Sequence, residues 1–195
     1  MEHSSTHKDT LAARRTYALL RNGLFRQLAE RPFEQISLTD ICTASLISRS
    51  TFYRYFEDKY DLLRYCLTTL LEELGLSDKV MYFTDRDSIR EFLTILFRHI
   101  DEHRAIYQSI YTANKDSELI PIIRDGIIEI LTGKIQIAEG NGYHLQIAVP
   151  IYTILLTDFY IGIVKCYFEL DGHFDLQTFV DHTCRFINRD FFEKA

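Results

Sequence analysis

The residues from Ser48 to Arg54 place two arginines and four hydroxyl-bearing side chains within seven positions. An arginine guanidinium can donate two parallel hydrogen bonds to a guanine base, and a threonine methyl group can pack against the methyl group of thymine. We therefore expect Arg49 to read a base edge, Thr51 to add an apolar contact, and Arg54 to act as a second base reader or a phosphate ligand. Side chains reach base edges in this way when their helix lies in the major groove of a DNA duplex.

Residues 99–103 offer a different chemistry, because the sequence HIDEH carries the HxxEH pattern. Some zinc peptidases use this spacing to place two histidines on one face of a helix, with the intervening carboxylate as base. A functional site of this kind needs a further metal ligand, and nothing downstream resembles a zinc peptidase. We therefore expect a protein that is not an enzyme and holds no metal or cofactor, with a zinc-dependent hydrolase as the alternative.

Two short helices are predicted here, one before Arg49 and one that begins at Arg49. Ser37 precedes Asp40 by three residues, which is similar to the spacing of a capping box, and this pair predicts the start of a helix over residues 38–44. Ser48 can cap a second helix, which begins at the next residue and ends near residue 56. Because only Ser45, Leu46 and Ile47 separate the first helix from the Ser48 cap of the second, the pattern predicts a helix-turn-helix.

A longer helix is predicted on each side of this pair. Apolar residues at three- or four-residue steps predict a first helix over residues 10–30, which ends before Pro32. Asp58 can cap a further helix over residues 59–74. The polar segment 1–9 lacks an apolar face and is predicted to be a disordered tail.

Residues 39–63, with the sequence TDICTASLISRSTFYRYFEDKYDLL, closely resemble the DNA-binding module of the TetR family of bacterial transcriptional regulators. The resemblance includes the pair Asp40-Ile41, the stretch 48–53, the aromatic pair Tyr55-Phe56, and Asp58-Lys59 at the start of the next helix. With the first helix, it covers about a third of the chain.

The sequence departs from the family pattern at two positions. Leu46 stands in the turn where glycine is usual, and Ser50 precedes Thr51 where the family usually has another glycine. A leucine is strained at a turn that needs a positive φ angle, so the geometry of this turn does not follow from the resemblance.

The resemblance also implies which side chains bind DNA. Tyr53, Tyr55 and Lys59 match positions at which the family holds the phosphate backbone, and the charge of Lys59 adds to the amides of a helix N-terminus. Thr39 matches a position from which the preceding helix reaches the duplex. With the residues expected from their own chemistry, the predicted DNA-binding set is Thr39, Arg49, Ser50, Thr51, Tyr53, Arg54, Tyr55 and Lys59.

The rest of the chain is predicted to be helical as well, with helices at about 87–102, 104–112, 118–138, 147–169 and 175–192. The expected fold class is all-α, with about nine helices that form an N-terminal three-helix helix-turn-helix module and a C-terminal helical bundle. We expect a DNA-binding domain over residues 10–58 and an effector-binding and dimerisation domain over residues 59–195.

TetR-like proteins dimerise through their last two long helices, so the resemblance implies a homodimer that binds a palindromic operator. Two apolar helix faces suit such an interface: Leu155, Phe159, Gly162 and Cys166 on one, and Phe179, Thr183 and Phe186 on the other. The family holds its ligand within the bundle, and aromatic residues of types that line such pockets are Phe97, Tyr107, Tyr111 and Tyr152.

The family's usual action is repression, with operator affinity changed by an effector, here a small molecule of unknown class. Two other regulatory modes remain open from the sequence. One is an activator controlled by a protein partner, and the other is an architectural DNA-binding protein that has no effector.

The charge of the chain is unevenly distributed. The net charge is −6, but residues 1–65 contain ten Lys or Arg against eight Asp or Glu, a local charge of +2 that leaves −8 for the rest. Because phosphate neutralisation needs only a local basic face, this division fits a DNA-facing N-terminal module on an acidic body.

Cysteine spacing and hydropathy predict a cytoplasmic protein. The four cysteines are widely spaced, without a CxxC pair, and no charged-then-apolar leader is present. The longest apolar stretch, residues 147–170, is interrupted by Asp158 and Lys165. No membrane-spanning helix is therefore predicted.

Overall fold

The computed structural model describes residues 10–75, 86–142, 144–170 and 173–187. Within these ranges the chain is helical and contains no β-strand, which confirms the all-α fold class. A 3-10 helix at Phe33–Gln35 follows the first α-helix. The nine α-helices of these ranges are α1 (Leu11–Glu30), α2 (Leu38–Ser45), α3 (Arg49–Phe52), α4 (Lys59–Glu73), α5 (Arg86–Glu102), α6 (Arg104–Asn114), α7 (Leu119–Gly140), α8 (Val149–Leu170) and α9 (Leu176–Ile187). The predicted tail over residues 1–9 and the end of the helix predicted over 175–192 lie outside the described residues.

The helix α3 is shorter than predicted, because it ends at Phe52 and not near residue 56. Beyond it, the Arg54 N–H donates to the Thr51 carbonyl at 3.2 Å, and the Tyr55 N–H donates to the Phe52 carbonyl at 2.9 Å. Hydrogen bonds to the third preceding residue tighten the backbone into a turn, and the α-helix ends there.

The chain divides into two compact units. The N-terminal unit comprises residues 1–66 and 105–120, and the C-terminal unit comprises residues 67–104 and 121–195. The sequence predicts a domain boundary after residue 58. The compact N-terminal unit also includes the start of α4 and most of α6. The assignment of DNA binding to one domain and of effector binding and dimerisation to the other stays a prediction.

Asn114, the last residue of α6, explains why this helix belongs to the N-terminal unit. Its side chain is fully buried. Its Nδ2 donates to the Leu28 carbonyl at 2.8 Å, and its Oδ1 accepts from the Phe33 N–H at 2.8 Å. A buried amide whose hydrogen bonds are satisfied fixes one geometry. It therefore holds the end of α6 against the end of α1.

α1 and α2 approach each other closely at one glycine. A Cβ atom added to Gly23 would lie 2.9 Å from the Ser45 Cβ and 3.1 Å from the Ile41 carbonyl oxygen. Only a residue without a side chain fits this contact without displacing α2. The buried face of α1 around this point includes Tyr17, Leu20, Leu24 and Leu28, whose three- or four-residue spacing is the apolar pattern that predicts this helix.

An aromatic core joins three helices in the C-terminal unit. Phe97 of α5 is fully buried, and its ring centroid lies 5.1 Å from that of Phe179 in α9 and 4.8 Å from that of Tyr167 in α8. The Tyr167 hydroxyl donates to Asp101 at 2.9 Å and accepts from Arg104 at 3.1 Å. Burial raises the pKa of Tyr167 to about 12, so this hydroxyl keeps its proton at neutral pH.

We predict that Gly23→Ala lowers the free energy of unfolding by about 1–3 kcal/mol, because the added methyl group would displace α2. Gly133→Ala in α7 is the matched control, since nothing lies within 4 Å of its added Cβ. The control should raise the free energy of unfolding by about 0.5–1 kcal/mol through helix propensity. Chemical denaturation followed by circular dichroism measures both variants. Equal stabilisation by the two substitutions would contradict a close contact at Gly23.

Candidate nucleic-acid interface

α2 begins with the predicted capping box. The Ser37 hydroxyl oxygen accepts from the Asp40 N–H at 3.2 Å, and the Asp40 carboxylate accepts from the Ser37 N–H at 2.8 Å. The hydrogen bonds with Ser37 hold the pKa of the Asp40 carboxyl below its ordinary value. These bonds satisfy two amides at the helix start. Thr39, in the first turn, is exposed.

α3 is one turn long and depends on its cap and on a buried side chain. The Thr51 N–H donates to the Ser48 hydroxyl oxygen at 3.1 Å, as the sequence predicts. The same oxygen lies 3.0 Å from Ser50 Oγ and 2.8 Å from Thr51 Oγ1, so three hydroxyl groups cluster at the helix N-terminus. At the other end of α3, Phe52 is fully buried. Because an isolated turn is not stable in water, these contacts hold the helix in place.

The side chains predicted to contact DNA from α3 and the turn after it face solvent. Arg49, Ser50, Tyr53 and Arg54 are exposed, and Thr51 is half-buried. In the described part of the chain, the Arg49 side chain has no hydrogen-bond or ion-pair partner. A guanidinium in this position can donate to a base edge or a phosphate without breaking an internal contact.

Tyr55 packs with its ring and makes a polar contact with its hydroxyl. Its ring centroid lies 5.2 Å from that of Tyr17 in α1, edge to face. Its hydroxyl accepts from Arg54 Nη2 at 3.4 Å. Burial, with smaller effects of Tyr65 and Tyr55, raises the pKa of Tyr17. The ring of Tyr55 therefore belongs to the aromatic core of the module, and a phosphate contact by its hydroxyl stays a prediction.

The turn between α2 and α3 adopts the conformation that glycine favours, although its residue is leucine. Leu46 has φ 57° and ψ 31°, and its side chain is 91% exposed. Its N–H donates to the Thr43 carbonyl at 3.2 Å, and the Ile47 N–H donates to the Cys42 carbonyl at 3.0 Å. Such bonds satisfy the last carbonyls of a helix. The turn keeps its geometry at the expense of backbone strain at Leu46.

The Lys59 ammonium contacts backbone carbonyls of the protein itself. Its Nζ donates to the carbonyl oxygens of Phe33 and Ile36, both at 2.8 Å, and lies 3.5 Å from that of Glu34. It also lies 4.5 Å from the centroid of the Phe33 ring. Burial lowers the pKa of Lys59 below its ordinary value. Contact between Lys59 and phosphate stays a prediction.

An apolar groove of about 520 Å³ lies between α8 and α9. Leu155, one of the seven residues predicted for a dimer interface, lies on α8 and is 64% exposed. The groove is also lined by Phe174 and His182, which the sequence missed because a loop residue and a histidine lie outside apolar helix faces. The other six predicted interface residues line the groove: Phe159, Gly162, Cys166, Phe179, Thr183 and Phe186.

The four predicted effector-binding residues are divided between the two units. Tyr107 and Tyr111 belong to the N-terminal unit, and the ring centroid of Tyr107 lies 6.3 Å from that of Phe25. Phe97 and Tyr152 belong to the C-terminal unit. Phe97 fills the aromatic core, whereas Tyr152 is half-buried and its pKa is raised by burial. An effector site formed by these residues stays a prediction.

The HxxEH sequence lies at the end of α5. His103 Nδ1 lies 3.0 Å from the His99 carbonyl oxygen, and the two imidazole centroids are 4.5 Å apart. Within the four described ranges, no group of three or more His, Cys, Asp or Glu side chains is arranged to hold a metal ion. In these ranges, the zinc hydrolase alternative therefore lacks the further ligand that it requires.

α8 is long and apolar enough to cross a membrane by length and composition, with a mean hydropathy of 1.4 over a window that is 22% buried. Core helices of other proteins pass the same criterion. Asp158 in this helix accepts from Arg124 of α7 at 3.0 Å, and Lys165 lies 3.7 Å from Glu169. Because charged side chains are costly inside a bilayer, the exposed apolar surface of α8 is better suited to a protein interface.

Residues 22–66 match the family model of bacterial regulatory proteins of the tetR family. The transcriptional activator of the dhaKLM operon, DhaS, from Lactococcus lactis subsp. lactis is 33% identical over 86 residues. This alignment covers 44% of the chain and 43% of the activator, so the chain spans less than half the length of this relative.

Solved structures share the fold along most of the chain. The fatty acid degradation regulator FadR from Bacillus halodurans is 16% identical, with a TM-score of 0.57, over 92% of this chain and 97% of that one. The transcriptional regulator FadR from Bacillus subtilis, solved in complex with stearoyl-CoA, is 14% identical, with a TM-score of 0.57, over 88% and 97% of the two chains. At these identities the similarity shows the fold alone.

We predict that Leu46→Gly raises the free energy of unfolding by about 0.5–1 kcal/mol. The left-handed conformation costs leucine about 1–2 kcal/mol, and the greater freedom of glycine in the unfolded chain offsets part of the gain. Leu19→Gly is the control, because Leu19 is an exposed leucine inside α1. This substitution should lower the free energy of unfolding by about 1 kcal/mol, since glycine disfavours a helix interior. Thermal unfolding distinguishes the two, and a destabilised Leu46→Gly variant would show that the turn is not strained.

Proposed function

We propose that the chain is a DNA-binding transcription regulator of the TetR family, which the match of residues 22–66 to that family's model supports. It acts as a homodimer on a palindromic operator and reads the operator with α3. The observation that carries the proposal is the exposed Arg49 at the first position of a capped recognition helix. The local charge of +2 over residues 1–65 supports it, because phosphate attracts such a face even though the whole chain is acidic. We place the protein in the cytoplasm, where it meets its operator.

The proposed contacts divide into base reading and phosphate binding. Arg49 donates to guanine in the major groove, and the methyl group of Thr51 contacts thymine. Ser50 lies between them and offers its hydroxyl to either a base or a phosphate. Tyr53 and Arg54 follow in the exposed turn, where they reach the phosphate backbone. Further phosphate contacts are assigned to Thr39 and Tyr55.

Selection of bound duplexes from random-sequence DNA by the purified chain tests this function. We expect a palindrome whose half-sites are separated by about one helical turn or slightly more, because each half of a dimer places its recognition helix in a successive major groove. Binding to every duplex without preference would favour the architectural alternative. Failure to bind any duplex at low salt would reject the proposal.

We predict that Arg49→Ala weakens operator binding by about 1–3 kcal/mol and relaxes the preference for one base in each half-site. Arg49→Lys is the matched control, because lysine keeps the charge but cannot form the paired hydrogen bonds of a guanidinium. It should lose the same base preference while keeping the salt dependence of binding. Titration of labelled duplexes that differ at one base pair measures both. Equal weakening on all sequences by Arg49→Ala would show that Arg49 binds phosphate only.

For the dimer, we propose that the groove between α8 and α9 faces the same groove of a second copy. Three large apolar side chains of α8 and α9 are exposed to solvent in the single chain, and the last of them lines the groove: Ile151, Leu155 and Phe186. Gly162 lies on this surface with nothing within 4 Å of an added Cβ, which leaves room for another helix. Two helices from each copy would form a four-helix interface.

We predict that Leu155→Glu combined with Phe186→Glu converts the dimer to a monomer. Both side chains are more than 60% exposed in the single chain, at 64% and 63%, so the helical content should not change. Ile137→Glu in α7 is the control, since Ile137 is 68% exposed and lies outside the groove. Light scattering after size-exclusion chromatography gives the mass. A double variant that stays dimeric would place the interface elsewhere.

We propose that the protein is a repressor and that a small-molecule effector in the C-terminal helices changes its operator affinity. The Bacillus subtilis regulator in complex with stearoyl-CoA supports the proposed effector, since it is a protein of similar fold that binds a ligand. An effector shifts the equilibrium only by binding one conformation more tightly, and coupling of about 1–3 kcal/mol is common. The residues that would contact the effector include Phe97, Tyr107, Tyr111 and Tyr152.

Activation is the second candidate action, and one relative supports it: the Lactococcus lactis protein, 33% identical over 86 residues, is a transcriptional activator. In that case a protein partner would control the chain. A reporter gene placed downstream of the selected operator separates the two actions. Expression falls when the chain is supplied if it represses, and rises if it activates.

A further inference from the structure

We propose that Lys59 is a positioning residue for DNA binding, whose ammonium links the two ends of the helix-turn-helix by hydrogen bonds instead of contacting phosphate. The inference rests on the proposed DNA-binding function. It differs from the role expected from sequence, because it assigns to Lys59 acceptors within the protein. Two observations support the proposal: the position of Lys59 in the chain, and the backbone carbonyl oxygens that surround its Nζ.

Lys59 and its acceptors lie at opposite ends of the helix-turn-helix segment. Lys59 is the first residue of α4, directly after the turn that follows α3. Its acceptors belong to residues 33–36, directly before the Ser37 cap of α2. One side chain therefore connects the residues that flank segment 37–58. Closing this segment restricts the orientations that α2 and α3 can adopt.

The Lys59 ammonium lies within hydrogen-bond distance of three backbone carbonyl oxygens. An ammonium offers three N–H donors, and the carbonyl oxygens of Phe33 and Ile36 lie at 2.8 Å, with that of Glu34 at 3.5 Å. The Phe33 ring, which is fully buried, adds a cation–π contact at 4.5 Å. A phosphate would have to compete with these contacts for the same ammonium.

The same backbone segment is held from a second direction. The Phe33 carbonyl accepts from Lys59, while the Phe33 N–H donates to the buried Asn114 side chain at 2.8 Å. The two side chains therefore satisfy both polar groups of one residue in the 3-10 helix. Since α2 has eight residues and α3 has four, neither is long enough to keep its position without such support.

The first test uses the unchanged protein. Nitrogen-detected NMR of lysine ammonium groups reports how fast their protons exchange with water. We expect the Lys59 protons to exchange more slowly than those of Lys115, an exposed lysine of the same unit. Equal exchange at the two sites would show that the ammonium is not held by the carbonyls, and would overturn the proposal.

The second test compares Lys59→Met with Lys115→Met, which remove the same charge from the two sites. The probe is a duplex recovered from random DNA by the wild-type chain, titrated at 10 °C over a series of salt concentrations. We expect Lys59→Met to lower the affinity about 5–20-fold with an unchanged salt slope, and to lower Tm by about 4–10 °C. Lys115→Met should change neither the affinity nor the Tm. Should Lys59→Met fail to fold, Lys59→Gln, which keeps two amide donors, replaces it.

Two results would overturn the proposal. A salt slope reduced by about 0.9, with an unchanged Tm, would show that Lys59 binds phosphate. A lower Tm with unchanged affinity at 10 °C would show that Lys59 stabilises the fold without positioning the DNA-binding helices. If the wild-type chain binds no duplex at all, the proposed function fails, and the NMR comparison still reports separately whether the carbonyls hold the ammonium.

Discussion

The close contact between α1 and α2 at Gly23 and Ser45 is the constraint on which the candidate DNA-binding surface depends. Ser45 is buried, and its hydroxyl donates to the Ile41 carbonyl at 2.7 Å within α2. Its Cβ lies where it would be 2.9 Å from a Cβ added to Gly23, so a side chain at position 23 would push α2 away from α1. Leu46 follows directly and turns the chain toward α3. Because α3 is only one turn long, its direction is set by what precedes and follows it, and by the burial of Phe52.

Rigid support and free polar groups are combined in a short segment. The hydroxyl of Ser48 caps α3 and lies within hydrogen-bond distance of Ser50 and Thr51, while the guanidinium of Arg49 stays exposed beside them. A recognition surface needs this combination, because side chains that are already oriented lose less entropy on binding. The strain at Leu46 fits the same pattern, since the turn geometry is kept even though the residue disfavours it.

The sequence predicted the features that depend on local spacing. The capping box at Ser37 and the cap at Ser48 follow from hydrogen bonds within three residues. Helical periodicity selected seven interface residues on α8 and α9, of which six line one groove, and their role in dimerisation stays a prediction. Contacts that join distant parts of the chain were missed, because spacing does not show which backbone groups meet a side chain. The acceptors of Lys59 and the role of Asn114 are of this kind. The predicted effector residues were chosen by residue type alone, which contains no information on which unit holds them.

Hydrogen exchange of the backbone amides, with and without a saturating DNA duplex, tests most directly whether this surface binds DNA. We expect slower exchange on addition of duplex in α2, in the turn at Leu46 and in residues 48–55, with little change in α5 and α9. Protection confined to the C-terminal unit, or no change in α2 and α3 at saturation, would show that the duplex does not bind the helix-turn-helix.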